Sequence, residues 1–271
     1  MFLAHIPELV WKFEPGLIDA MAVILAFYAL VAGPLRRWWA PQEAFPARQA
    51  FYFGLGMLVL YVAVQSPLDE LGEKYSFTAH MFQHNLLMYT VPCLLLWGVP
   101  AWMLRPLLSM EWSSGLWRVL TRPVVAGVLF TAVFSLWHVP ALYDTALRDR
   151  LVHNLEHLMF LGSALLAWWP VYSPMPEFPR LSHAGQMVYA FLLALAQTPV
   201  FALLTFSREP WYPTYETAVR IWGLTPLEDQ QVGGILMKVL GMAVFGWVMA
   251  RAFWRWYHEE NRRRPAHQAI R

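Results

Sequence analysis

Apolar residues fall along the chain in runs near twenty residues long, separated by short stretches that hold most of the charge. A run of that length, folded as a helix, crosses a hydrocarbon core of about 30 Å. Seven such runs predict seven transmembrane helices, over about 17–35, 49–65, 76–97, 123–140, 151–169, 183–206 and 232–254. The cluster Arg36, Arg37, Trp38, Trp39 closes the first at an interface, and Ser66 and Pro67 end the second. A short acidic loop with Asp69, Glu70 and Glu73 precedes the third, a loop of about ten residues precedes the fifth, and one of about two dozen precedes the seventh. The stretch holding Arg105, Glu111 and Arg118 is too polar to cross and is expected to lie along the surface as a partly amphipathic helix. The expected fold class is all-α, a single integral membrane bundle of seven helices filling residues 1–271, without internal repeat or soluble domain.

Composition sharpens this. Hydrophobic residues make up 58% of the chain and charged residues 14%, against about 25% charged in an ordinary soluble domain. The 15 Trp and 11 Tyr gather near the ends of the runs, as interfacial aromatic belts do. These features make a lipid membrane the expected partner and nucleic acid not, while the net charge of +2 says little, because the distribution of Lys and Arg matters more than their sum. The single cysteine, Cys93, excludes an internal disulfide and any paired-cysteine metal motif. No cleavable signal peptide is expected, because the first apolar run is flanked like a true span.

Arginine is distributed unevenly between the two ends of the runs. Arg36, Arg37, Arg48, Arg105, Arg118, Arg122, Arg180, Arg251, Arg255, Arg262, Arg263, Arg264 and Arg271 share one side, whereas Lys12, Lys74, Arg148, Arg150, Arg208 and Arg220 share the other. The positive-inside rule then places the N-terminus outside and the C-terminus in the cytoplasm.

That orientation puts five of the nine histidines near the outer face. His80 and His84 sit four apart in the first turns of the third run. His153 and His157 repeat the spacing in the fifth, and His138 ends the fourth. On a helix, residues at i and i+4 share a face about 6 Å apart, so each pair can reach one ion. Ionisable side chains in a membrane segment are costly without a partner or task. Imidazole is the commonest nitrogen ligand for Cu, Zn, Fe and Ni, and the five together could hold one or two ions. The other four, His5, His183, His258 and His267, have terminal or interfacial settings in which solvated imidazoles need no explanation.

The neighbours leave the ion open. Met81 and Met88 offer thioethers suited to copper or pack in the core. Glu156 can orient an imidazole or face water at the interface. Asp229 and Gln230, in the string LEDQQVGG before the seventh run, can supply a ligand or an outer acceptor, or simply begin a helix. Lys238, two turns deeper, can snorkel, pair with an acid or line a pathway. Copper, a bis-histidine haem b and zinc are all compatible with these residues.

The strings HMFQHNLLM, SLWHVPALYD, LVHNLEHLMF and LEDQQVGG, in that order, resemble the CtaG family of membrane proteins associated with assembly of caa-type cytochrome c oxidase. The resemblance covers nearly everything from the second run to the seventh. It implies a seven-span bacterial or archaeal plasma-membrane protein that helps mature a haem–copper oxidase, at the stage of copper delivery. The implied partner is an oxidase subunit or a copper chaperone. The family's histidine motifs fall on His80, His84, His138, His153 and His157, and its acidic motif on Asp229 and Gln230. One position departs: Lys238 stands where such sequences often carry an aromatic. The resemblance implies an assembly factor rather than an enzyme, and no catalytic residue is assigned. The alternative is a haem-bearing membrane cytochrome or quinol-linked oxidoreductase using the same histidines. A channel would need polar residues through the full membrane depth, and the sequence offers little beyond Lys238.

Overall fold

The structure, a computed structural model, describes residues 11–268 apart from Ser109, with side chains as far as Arg262. His5 and the side chains of Arg263, Arg264, His267 and Arg271 lie outside the described residues. Every regular element described is helical. The chain runs α1 (Pro15–Ala32), α2 (Arg36–Trp39), α3 (Ala47–Gln65), α4 (Pro67–Lys74) and α5 (Phe77–Asn85). A single π turn, Leu86–Thr90, leads to α6 (Val91–Gly98), followed by α7 (Ala101–Leu108), α8 (Glu111–Leu120), α9 (Pro123–Trp137), α10 (Pro140–Arg148) and α11 (Arg150–Tyr172). The chain ends with α12 (His183–Ala196), α13 (Thr198–Phe206), α14 (Pro213–Glu216) and α15 (Pro226–Gln268).

Four segments are long and apolar enough to cross a membrane: α1, α3, α12 with α13, and α15. The number rises to six if each of two bent pairs counts as one span, α5–α6 with α7 (93°) and α8 with α9 (70°). The outward faces of these helices are apolar, with Val23, Phe27, Val124, Phe191 and Trp247 all exposed. Such a surface is stable against lipid and costly against water. The chain is therefore a multi-pass membrane protein.

α11 is the axis of the bundle. It packs on α9, α6, α10 and the π turn, and buries Phe160, Ala164, Ala167 and Trp168. α3 lies against α6, and α15 against α5, α12 and α13. The π turn has a cause in the sequence: Pro92 lacks the N–H that would bond the carbonyl of Met88 one turn earlier, and its ring crowds that turn. Trp168 Nε1 supplies the missing donor, 2.7 Å from the Met88 oxygen. The histidine helix therefore meets the axis helix through a polar contact as well as through apolar packing. Within α5, Asn85 Nδ2 donates to the Met81 carbonyl one turn earlier at 2.7 Å.

Several stretches read as loops are helices. The acidic loop is α4, started by Pro67 and by Ser66, whose Oγ accepts from Leu68 N at 3.2 Å. The connection before α11 is α10, opened by Pro140 at its first turn. Pro226 opens α15 six residues before the expected start at 232, because proline at the first turn costs the helix no hydrogen bond. The surface segment expected between the third and fourth runs is present as α7 and α8.

Candidate metal centre

α5 begins at Ser76, whose Oγ accepts from Ala79 N at 3.2 Å. It is capped a second time from across the bundle. Asp229 of α15 accepts from Phe77 N at 2.7 Å, Thr78 N at 3.2 Å and Ser76 Oγ at 2.9 Å. Free N–H groups at a helix start would otherwise be buried unpaired. α11 starts at Asp149, whose carboxylate accepts from Leu151 N and Val152 N. These caps set the rotation of the two helices, so that His80 and His84 of α5 face His153, Glu156, His157 and Phe160 of α11.

The histidines meet in the core. Ring centroids of His80 and His84 are 4.2 Å apart, those of His153 and His157 are 4.1 Å apart, and across the helices His80 lies 5.4 Å from His153. His84 is 5.7 Å from His157 and 6.4 Å from His138. One ligand atom from each of His80, His84, Glu156 and His157 falls within 4.8 Å of the others, and the same holds for Asp69, His153 and His157. The two groups share His157. His138 stands beside the first group, its ring against Phe134 at the end of α9. All of these side chains are buried, His80, His84 and Glu156 completely.

Hydrogen bonds to the outer nitrogens decide what the rings offer inward. His138 Nδ1 donates to the Phe134 carbonyl at 2.6 Å, and His153 Nδ1 pairs with Glu73 Oε1 at 3.0 Å. His80 Nδ1 is 2.6 Å from Tyr143 Oη, which is 2.9 Å from Tyr215 Oη, and Tyr215 donates to the Gly72 carbonyl. With Tyr215 donating outward, the consistent direction of the chain is His80 to Tyr143 to Tyr215 to Gly72. In these three rings the proton sits on Nδ1 and the lone pair on Nε2. The Nε2 atoms of all five histidines, and both carboxylate oxygens of Glu156, are buried with no protein hydrogen-bond partner. Glu156 Oε1 is 3.6 Å from His84 Nε2. Leaving so many polar atoms unpaired costs several kcal/mol, and a cation among them removes that cost.

An outer layer of acids closes the cluster. Glu73 and Asp69 both take the Lys12 ammonium, Asp69 at 2.8 Å. Asp69 also accepts from Gln83 Nε2 at 2.6 Å. Burial opposes ionisation of Glu73, but its bonds to His153 and Lys12 win and hold its carboxyl down to about 2. Burial and the neighbouring Glu73 push Asp69 up, against the pull of Lys12 and His153. Gly72 makes this layer possible: a Cβ there would sit 2.9 Å from His80 Cα, so only glycine lets α4 approach α5 this closely.

The remaining expected site residues are placed as follows. Met81 and Met88 are buried in the core, Met81 with its Cγ 3.4 Å from where a Cβ on Gly233 would stand. Asp229 spends both carboxylate oxygens on the start of α5. Gln230 Oε1 accepts from Trp211 N at 2.6 Å and ties the preceding loop to α15. Lys238 Nζ donates to Thr198 Oγ1 at 2.8 Å, at the join of α12 and α13. His183 pairs with Glu259 at 2.9 Å. Asp69, Glu73, Tyr143 and Tyr215 were not anticipated as site residues. Asp69 and Glu73 carried one usable signal, the same i, i+4 spacing as the histidine pairs.

A multi-pass helical membrane protein with imidazoles and carboxylates converging in its core is the class this geometry defines. A model of the cytochrome c oxidase caa3 assembly factor family, Caa3_CtaG, matches residues 26–259, and the chain belongs to that family. Similar curated proteins are uncharacterized proteins of Mycobacterium bovis and Mycobacterium tuberculosis, each 28% identical over 244 residues, covering 83% of this chain and 36% of theirs. One of Mycobacterium leprae is 25% identical over 245 residues, covering 84% of this chain and 36% of its own. The chain thus spans about a third of the length of these relatives. No solved structure matches.

Proposed function

We propose that this chain is a seven-span assembly factor that holds copper in the buried histidine cluster and passes it to cytochrome c oxidase. One observation carries the reading: five imidazole Nε2 atoms and both oxygens of Glu156 lie buried at one place without protein partners. Among the candidate ions copper is favoured, because the family serves an oxidase and copper accepts imidazole donors without thiolate. Zinc would accept the same donors. The close ring spacing, with His80 and His84 at 4.2 Å, His153 and His157 at 4.1 Å and His84 and His157 at 5.7 Å between centroids, supports an ion shared by several rings over haem. His80, His84, His157 and Glu156 would hold the ion. His153 with Asp69 forms a second, adjoining set, and His138 flanks the first. Tyr143, Glu73 and the Phe134 carbonyl hold the rings in the tautomer that presents Nε2.

The span that brings the count from six to seven in this reading is α11, the fifth in chain order. Its 23 residues rise about 34 Å at 1.5 Å each, enough to cross. It is less apolar than the others because His153, Glu156 and His157 face the cluster rather than lipid. Residues 1–271 then form one membrane domain of a bacterial or archaeal plasma membrane, with the N-terminus and the metal centre toward the outer face. The partner is an oxidase subunit, or a copper chaperone that loads the site.

The test is maturation of the oxidase in a host lacking this protein. Wild-type protein is expected to restore copper content and oxidase activity. His84→Ala with His157→Ala, inserted in the membrane at the same level, is expected to leave the oxidase haem-replete and copper-poor. Full restoration of copper by that variant would reduce the protein to a scaffold.

A further inference from the structure

At the end of the bundle opposite the histidines, five arginines line one open cavity of about 900 Å³. They come from four places in the chain: Arg48 at the start of α3, Arg105 in α7, Arg180 after α11, and Arg251 with Arg255 in α15. Glu43 is the one carboxylate on the wall.

Most of the contacts that hold these guanidinium groups do not neutralise them. Arg180 Nε donates to the Ser173 carbonyl at 2.7 Å. Arg251 lies over the Tyr172 ring at 5.5 Å, and Arg48 over Tyr52 at 5.6 Å. Arg105 is the exception, paired with Glu177 at 2.8 Å. Arg180 is close enough to the other cations to feel them: burial, then Arg251 and Arg255, push its pKa down. Arg251 is half-buried and the other four line the open mouth around it; like charges gathered on one wall repel one another, and an anion that enters among them relieves that repulsion.

The rest of the wall narrows the anion. Tyr52, Trp97 and Trp247 line the cavity, and Trp247 is exposed on the outer surface of α15. The cavity thus joins a cationic end to an aromatic rim at the lipid-facing side. A free phosphate would fill a small part of about 900 Å³, a volume in the range that takes drug-sized ligands. A phosphate head with a glycerol backbone and the first methylenes of two chains matches both the size and the two-sided chemistry. Arginine binds phosphate oxygens in pairs, and basic pockets between membrane helices collect anionic head groups.

We propose that this cavity is a binding site for one anionic phospholipid, its phosphate on Arg180, Arg251 and Arg255 and its chains leaving past Trp247. Bound there, the lipid bridges α3, α7 and α15 and fixes the end of the bundle remote from the histidines.

The experiment is native mass spectrometry with thermal unfolding on delipidated full-length protein. Phosphatidylglycerol is compared with phosphatidylcholine and with inorganic phosphate and glycerol phosphate. The wild type is expected to retain phosphatidylglycerol at least about tenfold better than phosphatidylcholine and to be stabilised by it, without response to the soluble phosphates. Arg180→Gln with Arg251→Gln is expected to lose about tenfold or more of that retention, since each basic contact contributes several-fold. If that variant does not fold, Arg48→Gln alone, at the rim, is expected to lose about threefold, and the lipid comparison on the wild type stands by itself. Equal retention of the two lipids by the wild type, or unchanged retention in a folded variant, would overturn the proposal. Stabilisation by soluble phosphate equal to that by phosphatidylglycerol would also overturn it, by showing a site for a soluble anion.

Discussion

Purified protein with His84→Ala and His157→Ala is expected to bind copper at least about 100-fold more weakly than the wild type, a larger loss than removing an outer partner of a ligand gives. The two rings belong to the group whose ligand atoms lie within 4.8 Å of one another. Each comes from a different helix, so their loss leaves only His80 from α5 and Glu156 from α11 in that group. His153 and Asp69 form the adjoining set only with His157, so it is broken too. Equilibrium titration against a competing chelator measures the change. Because both substitutions open space in the core, helicity by circular dichroism must be shown intact. Glu156→Gln supplies an isosteric companion. It keeps the volume and removes the charge, and is expected to weaken copper binding by roughly 10- to 100-fold. Unchanged binding in the double variant would remove copper from this site.

Asp229→Ala is expected to destabilise the protein by about 3 kcal/mol, since it leaves the first N–H groups of α5 buried without acceptors. That corresponds to a fall of about 6–12 °C in Tm for a chain of this size, read by thermal unfolding in detergent. Phe77 N, Thr78 N and Ser76 Oγ all lose their acceptor at once. Asn at the same position restores one oxygen and is expected to recover about half of the loss. Copper affinity of the folded fraction should fall by less than about tenfold, because no donor of the cluster is removed. Abolished copper binding with unchanged Tm would instead make Asp229 a ligand.

The sequence exposed most of the cluster because helical spacing is a local property. His80 with His84 and His153 with His157 announce their shared faces without knowledge of the packing. The apolar runs likewise declare a membrane bundle. What stayed hidden depends on contacts distant in sequence. Tyr143 and Tyr215 look like ordinary interfacial tyrosines until α10 and α14 bring them against His80. Asp229 acts on α5, whose start lies 152 positions earlier in the chain at Phe77. Asp69 and Glu73 were concealed because an eight-residue acidic helix reads as a loop when judged by hydropathy alone. α11 was legible as the fifth run even though His153, Glu156 and His157 make one of its faces polar, because that face turns into the core and the rest of the helix is apolar.

X-ray absorption at the copper edge of the loaded wild-type protein tests the central claim most directly. Copper in the cluster is expected to show a first shell of nitrogen and oxygen with the multiple scattering of at least two imidazoles, and the imidazole signal should disappear with His84 and His157. A protein that keeps no copper after gel filtration, or copper whose first shell carries no imidazole signal, would contradict the account.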